Sequence, residues 1–363
     1  MLLSRRAIVI ACFFILAFTI VPTNIETVKP KKDPAEKSLF STNEVLNIIL
    51  KGDVRSVLND REENSKSHQL ELVFKEDSSD VTVPVQVKTR GHFRKLSENC
   101  SYPPLLIEFP KDGPQSSTIF HEQSKLKLVM PCQGDDYVIR EWLVYKLYNL
   151  VTPNSFNARL VRVKIDDSKN KKNAAPFYGI LLEEEMQLAK RNHSISIERK
   201  QLKPEQTQSD AFLTMAVFEY MIGNTDWSIE FMQNIKLLLP ENSQVPIPVP
   251  YDFDHSGIVN STYAAPAAEL RMSSIRERRY RGYCLKDMKA FDNVIARFNQ
   301  LKDDIYKVYS SCTLLDAKYI KSTTQYLDEF YTTINNPKKI KNEFSYPCNL
   351  NGTGNVIIKG LKD

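Results

Sequence analysis

An α+β fold, sheet-rich in its N-terminal half and mainly helical afterwards, is what this sequence predicts, and three patterns predict it. Short strand-like runs, "QLELVF", "VTVPVQVKTRG", "PPLLIEF" and "KLKLVM", crowd the first third of the chain and are separated by polar or proline-bearing turns. A stripe at helical spacing, Ile139, Leu143, Leu147 and Leu150, follows in "YVIREWLVYKLYNL". After two further strands the periodicity becomes mostly helical. At 363 residues, 42% hydrophobic and 26% charged, the chain can bury a large core.

The elements follow in order. "MLLSRR" and the unbroken apolar run "AIVIACFFILAFTIV" make residues 1–23 an export signal or a membrane anchor. Fifteen apolar residues at about 1.5 Å each fall short of a roughly 30 Å hydrocarbon core, which favours the signal. Residues 24–40 are charged and proline-bearing, a linker. "STNEVLNIILKGDVRSVL" opens with Ser-x-x-Glu, the reciprocal capping pattern, and predicts a helix from Ser41. The strand runs come next, and Asp135 and Asp136 are expected to cap the striped helix. "ARLVRVKI" and "PFYGILLEE" predict two more strands, "SDAFLTMAVFEYMI" a buried helix stopped by Gly223, and Met288 to Tyr309 and Leu314 to Ile334 two long helices.

Charge and cysteine content exclude some classes. A formal net charge of +5, spread along the chain, gives no basis for a nucleic-acid partner. Outside the apolar run lie Cys100, Cys132, Cys284, Cys312 and Cys348, so an oxidising compartment allows at most two bridges and leaves one thiol over. There is no C-x-x-C, and the histidines lack zinc-site spacing.

Chemistry concentrates between Gly223 and Gly257, "GNTDWSIEFMQNIKLLLPENSQVPIPVPYDFDHSG". Asp252 and Asp254 flank a phenylalanine at the end of a strand-like run, which suits Mg²⁺ or Mn²⁺: hard ions prefer carboxylate oxygens and bridge to nucleotide phosphates. Upstream, Asp226 follows a helix end and precedes the amide Asn234. An acid that orients a hydroxyl, an amide on the metal and a downstream acid on the metal form a constellation for phosphoryl transfer from ATP. Alone, Gly-Asn-x-Asp is a common turn; the order and the 26 residues from Asp226 to Asp252 give the combination its weight.

"GNTDW", Asn234 and "PYDFD" resemble the signature of the CotH kinase family, spore-coat and secretory-type atypical protein kinases. "TRGHFR", "KLKLVMPCQGDDYVIREWLVYKLYNL" and "YGILLEEE" extend the likeness over roughly Val87 to Gly257. Tyr251 stands where tryptophan is usual, and Glu141 where an asparagine commonly follows the helix arginine. The resemblance implies a two-lobed, atypical protein-kinase-like fold: a sheet-rich N-lobe over residues 41–186, a helical C-lobe carrying the site over 187–345, and a tail over 346–363. It makes Asp226 the candidate catalytic acid and Asp252 the principal metal ligand, assisted by Asn234 and Asp254.

Four further assignments come from the residues themselves. Lys127 is expected to contact phosphates, paired to Glu141 on the following helix; Lys125 lies on the same strand face and is the other choice. Arg90 and Gly91 would form a hairpin over the phosphates. Glu183, Glu184 and Glu185 fall at the expected hinge, and five arginines, Arg271, Arg276, Arg278, Arg279 and Arg281, lie within eleven residues and would suit an acidic protein substrate. The expected function is an exported, extracytoplasmic kinase acting on a protein hydroxyl, secreted, periplasmic or held at the membrane by its N-terminus. The alternatives are nucleotidyl transfer on the same fold and a non-catalytic surface binding protein.

Overall fold

Large apolar side chains alternate with polar ones along the first strands, so each strand has one face to bury. Strand β1 (Leu46–Gly52) buries Ile48 and Leu50, β2 (His68–Glu76) buries Leu70, Leu72 and Phe74, and β3 (Ser79–Thr89) buries Val83, Val85 and Val87. Between β1 and β2 lies the short helix α1 (Val54–Asn59), capped by the Asp53 carboxylate, which accepts from the backbone N–H and the hydroxyl of Ser56. Strands β4 (Leu105–Glu108) and β5 (Lys125–Val129), helix α2 (Asp135–Val151), and strands β6 (Ala158–Asp167) and β7 (Phe177–Leu182) follow. The computed structural model describes residues 38–169 and 174–346. The expected export segment, the linker up to residue 37 and the tail beyond Tyr346 lie outside the described residues. Among those described, no helix is long and apolar enough to cross a membrane.

The seven strands close into a barrel in the order β1-β2-β3-β4-β5-β7-β6. Closure is made by β6 running parallel to β1, with Leu46 opposite Val161 and Gly52 opposite Asp167. The barrel interior holds the buried faces of β1 to β3 with Leu105, Ile107, Leu126, Leu128, Val161 and Val163. The expected two-lobed, kinase-like fold is therefore corrected: the N-terminal strands form a closed mixed barrel, and the chain from Ser38 onward is one compact unit. The physical cause sits in β1, where a helix was expected. Glu44 donates its backbone N–H to Thr42 Oγ1 in a local turn instead of capping a helix, and the β-branched pair Ile48-Ile49 takes an extended backbone between two partner strands.

The second core joins the barrel wall to the helices. Helix α2 packs across β6 and β7, and its Trp142 indole N–H donates to the Ala158 carbonyl at 3.2 Å. Asp135 and Asp136 lie in its first turn and Gly134 is the cap residue. The Asp135 carboxylate instead receives Arg162 Nη1 at 3.0 Å and the Tyr178 backbone N–H at 3.2 Å, tying the helix start to β6 and β7. Beyond the barrel come α3 (Glu185–Arg191), β8 (Ser194–Ile197), α4 (Ser209–Ile222), β9 (Ile235–Pro240) and β10 (Ile247–Pro250), the last two antiparallel and followed by β8 across the sheet. Among the described residues four helices follow: α5 (Asp292–Gln300), α6 (Lys302–Ser310), α7 (Ala317–Ile334) and α8 (Pro337–Phe344). The expected single helix to Tyr309 breaks at Leu301, whose ψ of 1° leaves the α region.

Candidate functional site

Helix α4 is apolar on nearly all sides and buried accordingly. It stops at Gly223, whose φ of 68° is the left-handed exit that glycine takes at least cost. The loop that follows is pinned to the second polar island, since Gly257 N–H donates to Gly223 O at 3.0 Å and Ile258 N–H to Ile222 O at 2.9 Å. Asn224 Oδ1 accepts the Asp226 N–H at 3.0 Å, an Asx turn that aims Asp226. Gln233 Nε2 and Asn234 Nδ2 both donate to the Asp226 carboxylate, Asn234 at 3.0 Å.

The β9–β10 register then brings the two islands together. Ile235 lies opposite Pro250, and Tyr251 N–H donates to Asn234 O at 3.0 Å. Asn234 and Asp252 therefore share one end of the small sheet. Both take left-handed backbones, φ 51° and φ 65°, which short polar side chains tolerate but seldom adopt. Asp252 N–H is held by the Tyr145 hydroxyl of α2 at 2.9 Å. Because Asn234 Nδ2 also donates to the Asp226 carbonyl at 2.7 Å, its amide oxygen is the atom left facing outward.

Arg94, from the loop between β3 and β4, sits among the acids. Its Nη1 lies 3.5 Å from Glu141 Oε2, 3.5 Å from Asp254 Oδ2 and 3.9 Å from Asp252 Oδ1, and its Nη2 donates to Met130 O at 3.0 Å. Burial works against the Arg94 charge, yet the surrounding carboxylates, Asp254 foremost, hold it protonated above its ordinary range. Desolvation raises the Glu141 carboxyl well above the usual range against the pull of Arg94. Asp252 is raised by desolvation and then by Asp254, and Asp226 by desolvation with Asp254 adding to it. Asp254 is the most enclosed acid of the second island, 3% exposed, and receives the Tyr263 hydroxyl at 3.1 Å; the Asp252 side chain is 40% exposed.

The positions of the other expected residues differ. Lys127 projects over the Tyr251 ring at 4.6 Å and has no ion-pair or hydrogen-bond partner among the described residues. Burial, with Arg90 and Lys236 nearby, lowers its pKa to about 7, while Asp252 and Glu185 pull the other way. The expected Lys127–Glu141 pair does not form, because Glu141 faces Arg94. Lys125 pairs with Glu108 at 3.1 Å on the exposed face. Arg90 lies close enough to Asp252 and Tyr251 to lower the pKa of each, and Gly91, at φ 84°, is exposed with open space around it. Glu183 binds Arg191 and the Asn157 N–H, Glu184 caps α3, and Glu185 pairs with Lys236. These are structural contacts.

Of the arginine cluster, Arg276 and Arg278 lie over the Tyr326 ring, while buried Arg281 stacks on Trp227 and donates to the carbonyls of Thr225 and Trp227. Three of the five thus brace the islands, leaving Arg271 and Arg279 on the surface. Cys100 and Cys132 form a disulfide, Cys284 is disulfide-bonded, and Cys312 is free. Sequence reasoning missed Arg94 although it lies in "TRGHFR"; nothing in its spacing separates it from Arg90. Arg281 was visible only as one arginine among five.

Among the described residues no group of three or more histidine, cysteine or acidic side chains is arranged to hold a metal by itself. One or two carboxylates suffice for Mg²⁺ only where phosphate and water supply its other ligands. No protein-family model matches the chain, and no curated protein matches it. Among solved structures it is similar to a crystal structure of a Helicobacter pylori proinflammatory kinase, CtkA, at TM-score 0.37 and 11% identity, over 68% of this chain and 90% of that one. The CotH likeness is thus one of residues and motifs.

Proposed function

We propose that this chain is an extracytoplasmic phosphotransferase that moves the γ-phosphoryl group of metal-bound ATP to a protein hydroxyl. The observation that carries this reading is the meeting of Asp226, Asn234 and Asp252 at one sheet end, with the Asn234 amide oxygen facing outward. A bound Mg²⁺ or Mn²⁺, held by Asp252 with Asn234 and Asp254 assisting, supplies charge neutralisation at the phosphates. Lys127, without a partner of its own, and Arg90 offer donors to phosphate oxygens. Asp226 orients the acceptor hydroxyl and takes its proton as the oxygen attacks the γ-phosphorus; the bond to the bridging oxygen breaks and ADP leaves. Gln233 and Asn234 keep the Asp226 carboxylate in position. The Cys100–Cys132 bridge supports the extracytoplasmic part of the reading.

One observation favours a second, non-catalytic reading: Arg94 already supplies a counter-charge to Asp252 and Asp254. Titration with ATP, with and without Mg²⁺ and Mn²⁺, and a transfer assay separate the two. The enzyme binds ATP in a metal-dependent way and releases ADP, whereas release of pyrophosphate would mean nucleotidyl transfer. Asp252→Ala abolishes metal-dependent binding. Asp226→Asn keeps affinity within a few-fold and lowers turnover by roughly 10²-fold or more. Unchanged turnover in Asp226→Asn, or unchanged binding in Asp252→Ala, overturns these assignments.

A further inference from the structure

A second recess lies away from the acids, between α2 and the end of α6. Its volume is about 390 Å³, within the range of small-molecule sites. Trp142, Leu143 and Lys146 of α2 face Val308, Cys312 and Leu314 across it, with Asp304 and Lys307 at the rim. The Trp142 N–H is already bonded to Ala158 O, so the ring offers apolar surface. Lys146 Nζ lies 5.6 Å from that ring. It has no hydrogen-bond or ion-pair partner among the described residues, and the charged neighbour that acts on it, Arg159, repels it.

An enclosed ammonium with no counter-ion is costly, because water is partly lost and nothing replaces it. Lysine stems do commonly lie along apolar surface with the head in water. Here the residue is half-buried, and desolvation together with Arg159 lowers its pKa to about 8. The missing partner is an anion, and the walls are apolar. We infer that this recess binds a small organic anion with an apolar body, in the manner of a medium-chain carboxylate, its carboxylate on Lys146 and its chain against Trp142, Leu143 and Leu314. The inference does not depend on the phosphotransfer reading, whose residues lie elsewhere.

Octanoate is the probe, on the full chain. Two readouts belong to the recess: quenching of Trp142, since the other tryptophan, Trp227, is 2% exposed, and the alkylation rate of the free thiol Cys312. Saturable quenching and protection of Cys312 are expected. Lys146→Met keeps the stem, removes the charge, and should weaken binding about tenfold or more. Affinity should fall as pH rises above about 8, where Lys146 loses its proton; the other charged groups around it are Arg159, Lys307 and Asp304. Asp252→Ala should leave octanoate binding unchanged. Equal binding of neutral octan-1-ol by the parent, equal octanoate binding by Lys146→Met, or no protection of Cys312 overturns the inference; the octanol comparison needs no variant to fold.

Discussion

A lysine enclosed without a counter-ion loses hydration and gains nothing in return, so its neutral form is favoured. Lys127 is close to that position: burial, Arg90 and Lys236 bring its pKa down to about 7, and Asp252 and Glu185 offset only part of the shift. The folded value lies below the unfolded one, so between about pH 7 and the ordinary lysine value of 10.5 the unfolded chain binds more protons. Stability from this group therefore rises with pH across that window, and its cost is fully present below it. A phosphate ligand wants the opposite state. Nucleotide affinity should fall as pH rises above about 7, and Lys127→Met should melt at a higher temperature at neutral pH while binding ATP more weakly and with a flatter pH profile. If Lys127→Met bound ATP like the parent, the phosphate contact would belong to Arg90. Arg94 has the contrary role. Replacing it by Met leaves Glu141 and Asp254, both nearly inaccessible, without their counter-charge, and a loss of about 3–5 kcal/mol is expected for breaking such a buried pair. A double variant with Glu141→Leu should lose less than the sum of the single changes, since the two groups act as one unit. Additivity in denaturant melts would remove the pairing. Asp226 and Asp252 stand out in the sequence because acids interrupt apolar runs there. Arg94 does not, because its partners are 36 residues or more away in the chain and meet it only in the fold.

Single elements carry the acids to one place, and a disulfide ties two of the segments around them together. The loop bearing Arg94 contains no strand, yet it is fastened at Cys100 to Cys132, which lies between the end of β5 and the start of α2. Arg61 adds hydrogen bonds to the carbonyls of Lys95, Cys100 and Ser101. Helix α2 supplies Glu141 and Tyr145, so the bridge holds Arg94 and its helix partners in mutual register. Reduction should cost about 2–4 kcal/mol of stability, because it frees a closed loop in the unfolded chain. It should also weaken metal-dependent ATP binding while far-UV circular dichroism stays native. Reduced protein that binds ATP as tightly as the oxidised form would separate the bridge from the site. Elements with a strong local period were legible: α2, α4 and the strands β2 to β7 lie where alternation or helical stripes placed them. The helix expected from Ser41 was not, because Ser-x-x-Glu is a local signal and the pairing of β1 with β2 and β6 is not local.

At the scale of the molecule that same strand decides the architecture. An open sheet has two edges with unpaired backbone groups, and a barrel has none. Here β1 joins strands far apart in sequence, since Leu46 pairs with Val161 on one side and Lys51 with Glu71 on the other. No short window of sequence contains both pairings, which is why a sheet-rich lobe was the natural reading and a closed barrel the outcome. Native-state hydrogen exchange tests closure directly. In a barrel, alternate amides of Leu46–Gly52 point to different partner strands, and both sets are bonded. Both should therefore be protected to a degree near that of β3, which is paired on both sides. In an open sheet with β1 at its edge, the amides directed away from β2 would exchange at close to the unprotected rate. Rapid exchange confined to that alternate set would show the barrel to be open between β1 and β6, and would detach Arg159, which donates to Leu39 O across that seam at 3.0 Å.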